Sequence, residues 1–426
     1  MSKMLFTLII IPFFLCCAGE KKTAIVEADE VKDINNRIIN IDDAFNDIRE
    51  IRLSDIADSV VFLPIETHPK CLISSLNLFS FSSSYIYYFG GHFDWNGKYC
   101  GTIVKQGQGR YEEFEGGTVL YKDNHFYSKG SKLIEYDNKG VPTGKIMYLY
   151  DSRKKSDGDN FRSSVEFFIA GKNFAIYSYP NRIYFLNTNF EAIGSRLVAG
   201  IDTQKTNIDN LGKNFVTYYK DKTIFYNFMN DTIFYVTDNE LEPQWIINFT
   251  GDKRLSTETL LMNFNIFRDE EMKILNSGSS NFDNTQRVLL FDKKHIVSGA
   301  FETDNYIMLP MQELTPLARA RHKENKAPYI VLFDKSTHKT FRVKGDGFVD
   351  DLTGLAGMLG KNYFFPSTGL FDEKMIHSVW PYEILDFINE CQKEGRTVNP
   401  HLLEFSKTIK DDDNPILILV HLKRKK

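Results

Sequence analysis

Cysteine is scarce in this chain, and none of it is spaced for metal or redox chemistry. Of the five in 426 residues, Cys16 and Cys17 are adjacent near the N-terminus, and Cys71, Cys100 and Cys391 are scattered with no C-x-x-C pattern. Three cannot all pair; a Cys71–Cys100 disulfide stays open, while burial of all three as small hydrophobes fits their scatter better. The nine histidines include no pair at zinc-ligand spacing. No G-x-S-x-G nucleophile elbow occurs. Charge of one sign is missing too: 52 Lys and Arg stand against 56 Asp and Glu, a net −4 that leaves no electrostatic footprint for nucleic acid. Only one segment is apolar enough to enter a bilayer, so an integral membrane protein is excluded. Aromatics, by contrast, are plentiful, with 35 Phe, 21 Tyr and 3 Trp. They fit half-buried pleated surfaces and bias the reading toward sheet.

The apolar segment is an address. Lys3 precedes the run Met4 to Leu15, and Cys16-Cys17-Ala18-Gly19 follows. A short positive region, an apolar stretch and a small-residue exit describe a secretory signal. The run falls short of the roughly 20 residues that span a bilayer, and Pro12 interrupts it. The cysteine pair sits where bacterial lipoprotein signals place their lipidated residue. Cys17 fits best, with Leu15 two residues before it and small Cys16 next to it; lipidation at Cys16 and plain cleavage after Ala18 are the alternatives. Residues 1–17 are therefore expected to be a lipoprotein signal peptide, and the charged residues 18–45 a flexible tether. The expected address is the cell envelope, as an outer-membrane lipoprotein facing the periplasm or the exterior.

From residue 46 onward, short aromatic runs alternate with polar turns. Ser84 to Gly90 leads to Phe93-Asp94-Trp95-Asn96-Gly97, and His125 to Ser128 leads to Tyr136-Asp137-Asn138-Lys139-Gly140. Asn and Gly there tolerate the positive φ of tight hairpins. The turn residues Asp94, Asp137, Asn187, Thr237 and Asp334 stand 43, 50, 50 and 97 residues apart. The last step reads as one unit with an insertion, because Lys273 to Asn284 is polar and rich in Ser and Asn. Four strands per unit at this period predict a β-propeller. A sixth unit begins near Lys361, Pro415 to Val420 supplies a late strand, and Val60 to Thr67 joins the ring from the other end. Closure of this kind removes exposed sheet edges. The fold expected is all-β: a six-bladed propeller over 46–426, with a short helical insertion at about 381–409 before the closing strand. Within it Ile384, Leu385, Ile388 and Cys391 recur at helical spacing between Pro381 and Gly395.

Leu53-Ser54-Asp55-Ile56, Phe62-Leu63-Pro64-Ile65-Glu66-Thr67, Phe93-Asp94 with Gly97, Gly107-Gln108-Gly109 and Asp413-Asn414-Pro415-Ile416-Leu417 follow one another in that order. In this the chain resembles the six-bladed β-propeller lipoproteins of Bacteroidetes, which are related in shape to NHL-repeat proteins. The resemblance covers about residues 50 to 423. It departs after Gly109, where the family continues Pro-Gly-Glu-Tyr and this chain has Arg110-Tyr111-Glu112-Glu113-Phe114. The resemblance implies an envelope lipoprotein and no catalytic residues.

Chemistry-bearing motifs are few. Gly107-Gln108-Gly109 lacks the third glycine and the helix of a phosphate loop, so it reads as a turn. Asp411-Asp412-Asp413 lacks the alternating ligands of a calcium loop and reads as a solvated turn. Arg319, Arg321, His322 and Lys323 form a small basic cluster in the long insertion. Aromatics in turns and loops are better candidates, since propeller loops host ligands on a rigid scaffold. Trp95, Tyr111, Phe114 and Trp380 are the candidate ligand-binding residues; the plainer role for each is packing over a blade edge. The function expected is a monomeric, non-enzymatic binding or scaffold module, joined to the membrane by its lipid and engaging a glycan, peptide or protein partner. No cofactor or metal is expected. The alternative is a metal-assisted hydrolase, lactonase or lyase with calcium in the central channel.

Overall fold

In a computed structural model of the chain, the described residues are 36–76, 78–113, 118–149, 164–178, 182–198, 214–227, 230–255, 294–314, 328–358 and 362–424. The signal segment, Cys17, Phe114 and the cluster Arg319, Arg321, His322 and Lys323 lie outside them. From Ile38 onward the described residues build six antiparallel sheets, the blades of a propeller. Blade 1 comprises Phe79–Phe81, Ile86–Tyr88, Gly91–Phe93 and Tyr99–Thr102, and blade 2 Thr118–Lys122, His125–Lys129, Lys132–Tyr136 and Pro142–Tyr148. Blade 3 comprises Ser164–Ala170, Asn173–Ser178, Arg182–Leu186 and Ala192–Leu197, and blade 4 Asn214–Tyr219, Lys222–Asn227, Thr232–Val236 and Leu241–Asn248. Blade 5 has a divided inner strand, Lys294–Val297 and Phe301–Glu302, then Tyr306–Leu314, Tyr329–Asp334 and Lys339–Val343. Among the described residues a single blade thus accounts for the long 97-residue step.

Blade 6 is assembled from both parts of the sequence. Gly369–Phe371, Lys374–Val379 and Ile416–Leu422 are completed by Ala57–Pro64, which pairs antiparallel with Val60 opposite Val420 and Phe62 opposite Ile418. The sixth unit begins later than the sequence predicts. Tyr363–Phe364 pairs instead with Phe348–Val349 in a separate two-stranded sheet. The tether also ends earlier than expected. Ile38–Asn40 adds in parallel to the outer strand of blade 4, and helix α1 (Ile41–Ala44) follows, with Ile39, Ile41 and Ala44 buried. Ile48–Arg49 adds to blade 5 in the same way. These edge additions cover strand edges that would otherwise be open to another chain.

The turn residues read from the sequence close the hairpin between third and fourth strands in blades 1 to 5. Asp94 Oδ1 accepts the N–H of Asn96 and Lys98 at 2.9 and 3.0 Å, and Asp137 and Asn187 repeat the pattern with residues two and four further on. A short side-chain acceptor thus closes the turn, the physical reason for Asp or Asn there. Hydrogen bonds from the Val141 and Lys139 amides hold the Asp137 carboxyl below its ordinary value.

Burial follows blade position. The second strand of blade 3, Asn173–Ser178, is buried at every residue, whereas its outer strand Ala192–Leu197 has no buried residue. Inner strands have neighbouring blades on both faces, so their apolar residues run on instead of alternating. The apolar core is accordingly six wedges between adjacent blades. Phe167, Phe174 and Leu186 meet Leu120, Tyr127 and Leu133 between blades 2 and 3, and Phe168, Phe185 and Phe225 fill the next joint. Each fully buried aromatic or aliphatic side chain contributes roughly 1.5–3 kcal/mol. This is where much of the aromatic surplus sits.

Four helices occur among the described residues: α1, α2 (Leu53–Ile56), α3 (Pro381–Lys393) and α4 (Pro400–Ser406). Pro381 opens α3, the Glu383 carboxylate accepts the Trp380 N–H at 2.8 Å, and Gly395 follows its end at φ +68°. Ile384, Phe387, Ile388 and Cys391 seal the wedge between blades 5 and 6, while Leu385 is only half-buried. Cys71 and Cys391 are buried thiols; Cys100 is exposed on an outer strand, contrary to expectation. The three are unpaired.

Candidate functional site

Strand direction gives the ring two unlike ends. Connections from first to second and from third to fourth strand are tight turns, and all leave at one end. Second-to-third connections and blade-to-blade crossings leave at the other. They include 249–293 and 380–415, the latter carrying α3 and α4.

At the turn end, neighbouring blades interlock. The hairpin of one blade docks on the preceding blade. Asp238 of blade 4 accepts the Lys172 N–H of blade 3 at 2.8 Å, and Lys335 of blade 5 places its ammonium 4.8 Å from the Tyr219 ring of blade 4. Phe190 of blade 3 lies 6.1 Å from Tyr127 of blade 2. Trp95 of blade 1 follows the same rule on blade 6. Its ring stacks on Phe371 at 5.8 Å and on Phe81 at 6.0 Å, lies 5.3 Å from the Lys374 ammonium, and donates its N–H to Ser82 O at 3.1 Å. Gly97 in that hairpin has φ +80°, and a Cβ there would meet Pro64 O of the closing strand at 2.1 Å.

The other candidates lie at the opposite end. Trp380, half-buried, stacks on the exposed ring of Tyr382 at 6.5 Å. Tyr111 is half-buried in the crossing from blade 1 to blade 2, its carbonyl accepting from the Tyr136 hydroxyl and its ring capped by Arg110 at 5.3 Å. The structure therefore does not bring Trp95 together with Trp380 or Tyr111, and Phe114 lies outside the described residues. Sequence reasoning missed Phe89 at this same end. It stands with Gly90 in a two-residue turn at φ +44° and is 40% exposed. Bulky residues rarely adopt that conformation. Gly90 was the available signal; the aromatic run before it reads as uninterrupted strand.

Toward the axis, Tyr218 on the inner strand of blade 4 reaches Phe371 of blade 6 at 6.5 Å. Burial raises its hydroxyl pKa, and the Glu166 charge adds to the rise. Glu166, on the inner strand of blade 3, is pushed by burial to about 7 against the pull of Lys129. A group near 7 in an enclosed place is a common mark of function. Among the described residues no nucleophile–base pair stands beside it, however, and no three His, Cys, Asp or Glu gather to hold a metal. Nor is any described helix long and apolar enough to cross a membrane.

A family profile described as a domain of unknown function, DUF4934, matches residues 36–421, from just before the first edge strand to within the last strand of blade 6. The chain belongs to that family. No curated protein matches the sequence. Among solved structures, this DUF4934 propeller is similar to the "Putative exported protein" of Bacteroides fragilis NCTC 9343, at 17% identity and TM-score 0.57, with 91% of this chain and 100% of the other covered. That likeness is one of fold. PorZ, a surface component of the type-IX secretion system of Porphyromonas gingivalis, aligns at 12% identity over 63% of this chain and 26% of its own, TM-score 0.31. BamB from Moraxella catarrhalis aligns at 12% over 67% and 63%, TM-score 0.30. Likeness at that level says nothing about what this DUF4934 chain does.

Proposed function

We propose that this DUF4934 chain is a non-enzymatic binding or scaffold protein of the cell envelope, anchored by a lipid on Cys17. It presents the long-connection end of its propeller to a glycan, peptide or protein partner. The contrast between the two ends carries the reading. One end is occupied by turns that brace each other. The other holds the longer connections, Tyr382 exposed against half-buried Trp380, and Phe89, a bulky side chain in a left-handed turn position that asparagine or glycine fills at lower cost. Strain kept at an exposed residue is a pointer to function. Aromatic faces of this kind stack on sugar rings or on apolar side chains at similar gain. The "exported" in the name of the Bacteroides fragilis fold neighbour accords with the leader read at residues 1–17.

Two measurements test this. The full-length protein should partition into detergent, and Cys17→Ser should move it to the aqueous phase; unchanged partition removes the anchor. The protein without residues 1–17 should bind saturably on a glycan array or to an envelope extract. Phe89→Ala with Tyr382→Ala should weaken that binding about tenfold, the effect of losing about 1.4 kcal/mol. Turnover of a lactone or glycoside panel above about 1 per second, an ordinary enzymatic rate, overturns the non-enzymatic reading.

A further inference from the structure

The joint between blades 5 and 6 lacks the brace found elsewhere. Blade 6 takes its outer strand from near the N-terminus, so no hairpin links its third and fourth strands and none can dock on Thr303–Asn305 of blade 5. A polar cluster stands in its place. Asn305 Nδ2 donates to Lys423 O at 2.7 Å, and the Asp304 N–H donates to Glu373 Oε1 at 3.0 Å. Glu373 lies in the two-residue turn of blade 6, where Asp372 and Glu373 have φ of +46° and +59°. Asn-Gly is the usual occupant of such a turn, so the backbone holds a glutamate there under strain. Its carbonyl accepts the Leu422 N–H at 2.8 Å, tying the turn to the strand next to the closing one. The residue is 6% exposed, and among the described residues its Oε2 has no hydrogen-bonding partner. A buried carboxylate oxygen without a donor is tolerated far better neutral than charged.

We propose that Glu373 is a proton-operated latch on ring closure: protonated, it seats between blades 5 and 6; ionised, its charge beside Asp304 loosens that joint. The surrounding charges do not neutralise it. From blade 4, Lys220 is committed to Asp304 at 2.7 Å, where Tyr219 also donates. From blade 5, Lys335 is held by Glu302 at 2.7 Å and by the Thr303 carbonyl, and Tyr235 donates to the same Glu302 at 2.8 Å. On its own turn Lys374 pairs with Asp372 at 3.1 Å. The last strand of blade 6 brings His421 opposite Lys374, and Lys423 follows, its ammonium on Ser54 O. Burial first, then the Asp304 charge, pushes the Glu373 carboxyl up to about 7, and the Asp304 N–H, then Lys335 and Lys220, only partly offset them.

The sign follows. The unfolded carboxyl loses its proton near 4.5 while the folded one keeps it to about 7. The contribution is therefore complete below the unfolded value and is lost as pH rises through 7. His421, lowered by burial, acts in the opposite direction and is common to both proteins compared below. Glu373→Gln carries the neutral form at every pH. It should melt level with the wild type at pH 4, below the unfolded value, and about 3–5 °C above it at pH 8. In ¹³C-carboxyl spectra of the wild type, the resonance absent from Glu373→Gln should titrate near 7. Parallel melting curves, or a midpoint below about 5, the ordinary carboxylate range, overturn the proposal. Should Glu373→Gln not fold, Asp304→Asn should lower the wild-type Glu373 midpoint; an unmoved midpoint overturns it as well.

Discussion

Phe89 occupies a left-handed position that asparagine or glycine fills at lower cost, and it stays partly exposed, its ring 4.9 Å from that of Tyr88. If the strain is maintained for binding, removing it should stabilise the fold and weaken recognition together. Phe89→Asn completes an Asn-Gly turn with Gly90 and should raise the unfolding free energy by about 1 kcal/mol in denaturant titration. A drop in stability would mean that the Tyr88 contact outweighs the backbone strain. Trp95 is the converse case. Its residue type and turn position marked it in the sequence as a ligand candidate, yet its ring packs against both Phe81 and Phe371 in a three-ring cluster. Trp95→Ala should cost about 3 kcal/mol, the usual scale for truncating a packed aromatic, and leave any partner affinity unchanged. Nothing local in the sequence separates these two residues, because what distinguishes them is the neighbouring blade.

At the scale of elements, the hairpins between third and fourth strands were legible because their chemistry is local. Asp or Asn accepting from amides two and four residues on leaves a pattern in the sequence, and five blades show a version of this turn. The edge strands Ile38–Asn40 and Ile48–Arg49 were not legible. Runs of two or three residues have no periodicity, and their pairing with Ile246–Asn248 and Arg342–Val343 is a long-range fact. Blade 6 was misplaced for the same reason. Tyr363 and Phe364 have the composition of a blade strand but pair with Phe348 and Val349. The hairpins also hold blades together, which makes a prediction at this scale. Asp238 accepts the Lys172 N–H and pairs with its ammonium at 2.9 Å, and those contacts hold its carboxyl below the ordinary value. Asp238→Ala should cost about 1 kcal/mol near neutral pH, the usual worth of such a hydrogen bond. Because the folded carboxyl is the more acidic, that difference should persist above pH 4 and vanish as acid protonates Asp238 in the wild type too. A gap that survives at pH 2 would assign the loss to packing instead.

For the whole molecule, stability is shared among six wedges, none of which closes without its two neighbours. The wedge between blades 5 and 6 and the next one, between blades 6 and 1, both depend on Ala57–Pro64, since that strand completes blade 6 and its Leu63 packs with Phe93 and Leu417. Removing it would leave Ile416–Leu422, buried at every residue but His421, as an exposed apolar edge. A chain lacking residues 1–35 should therefore melt at the temperature of the processed protein, because the ring begins at Ile38. A chain lacking residues 1–64 should lose its single cooperative transition and associate. The same deletion removes the Asp42 contacts to Thr250 and Gly251 and the Ile39 burial in blade 4, so a milder cut is needed to separate the causes. Removal of residues 1–45 alone takes away the blade 4 additions and spares the closing strand. It should lower the melting temperature yet keep one transition, whereas loss of cooperativity at that first cut would place closure at blade 4 rather than blade 6.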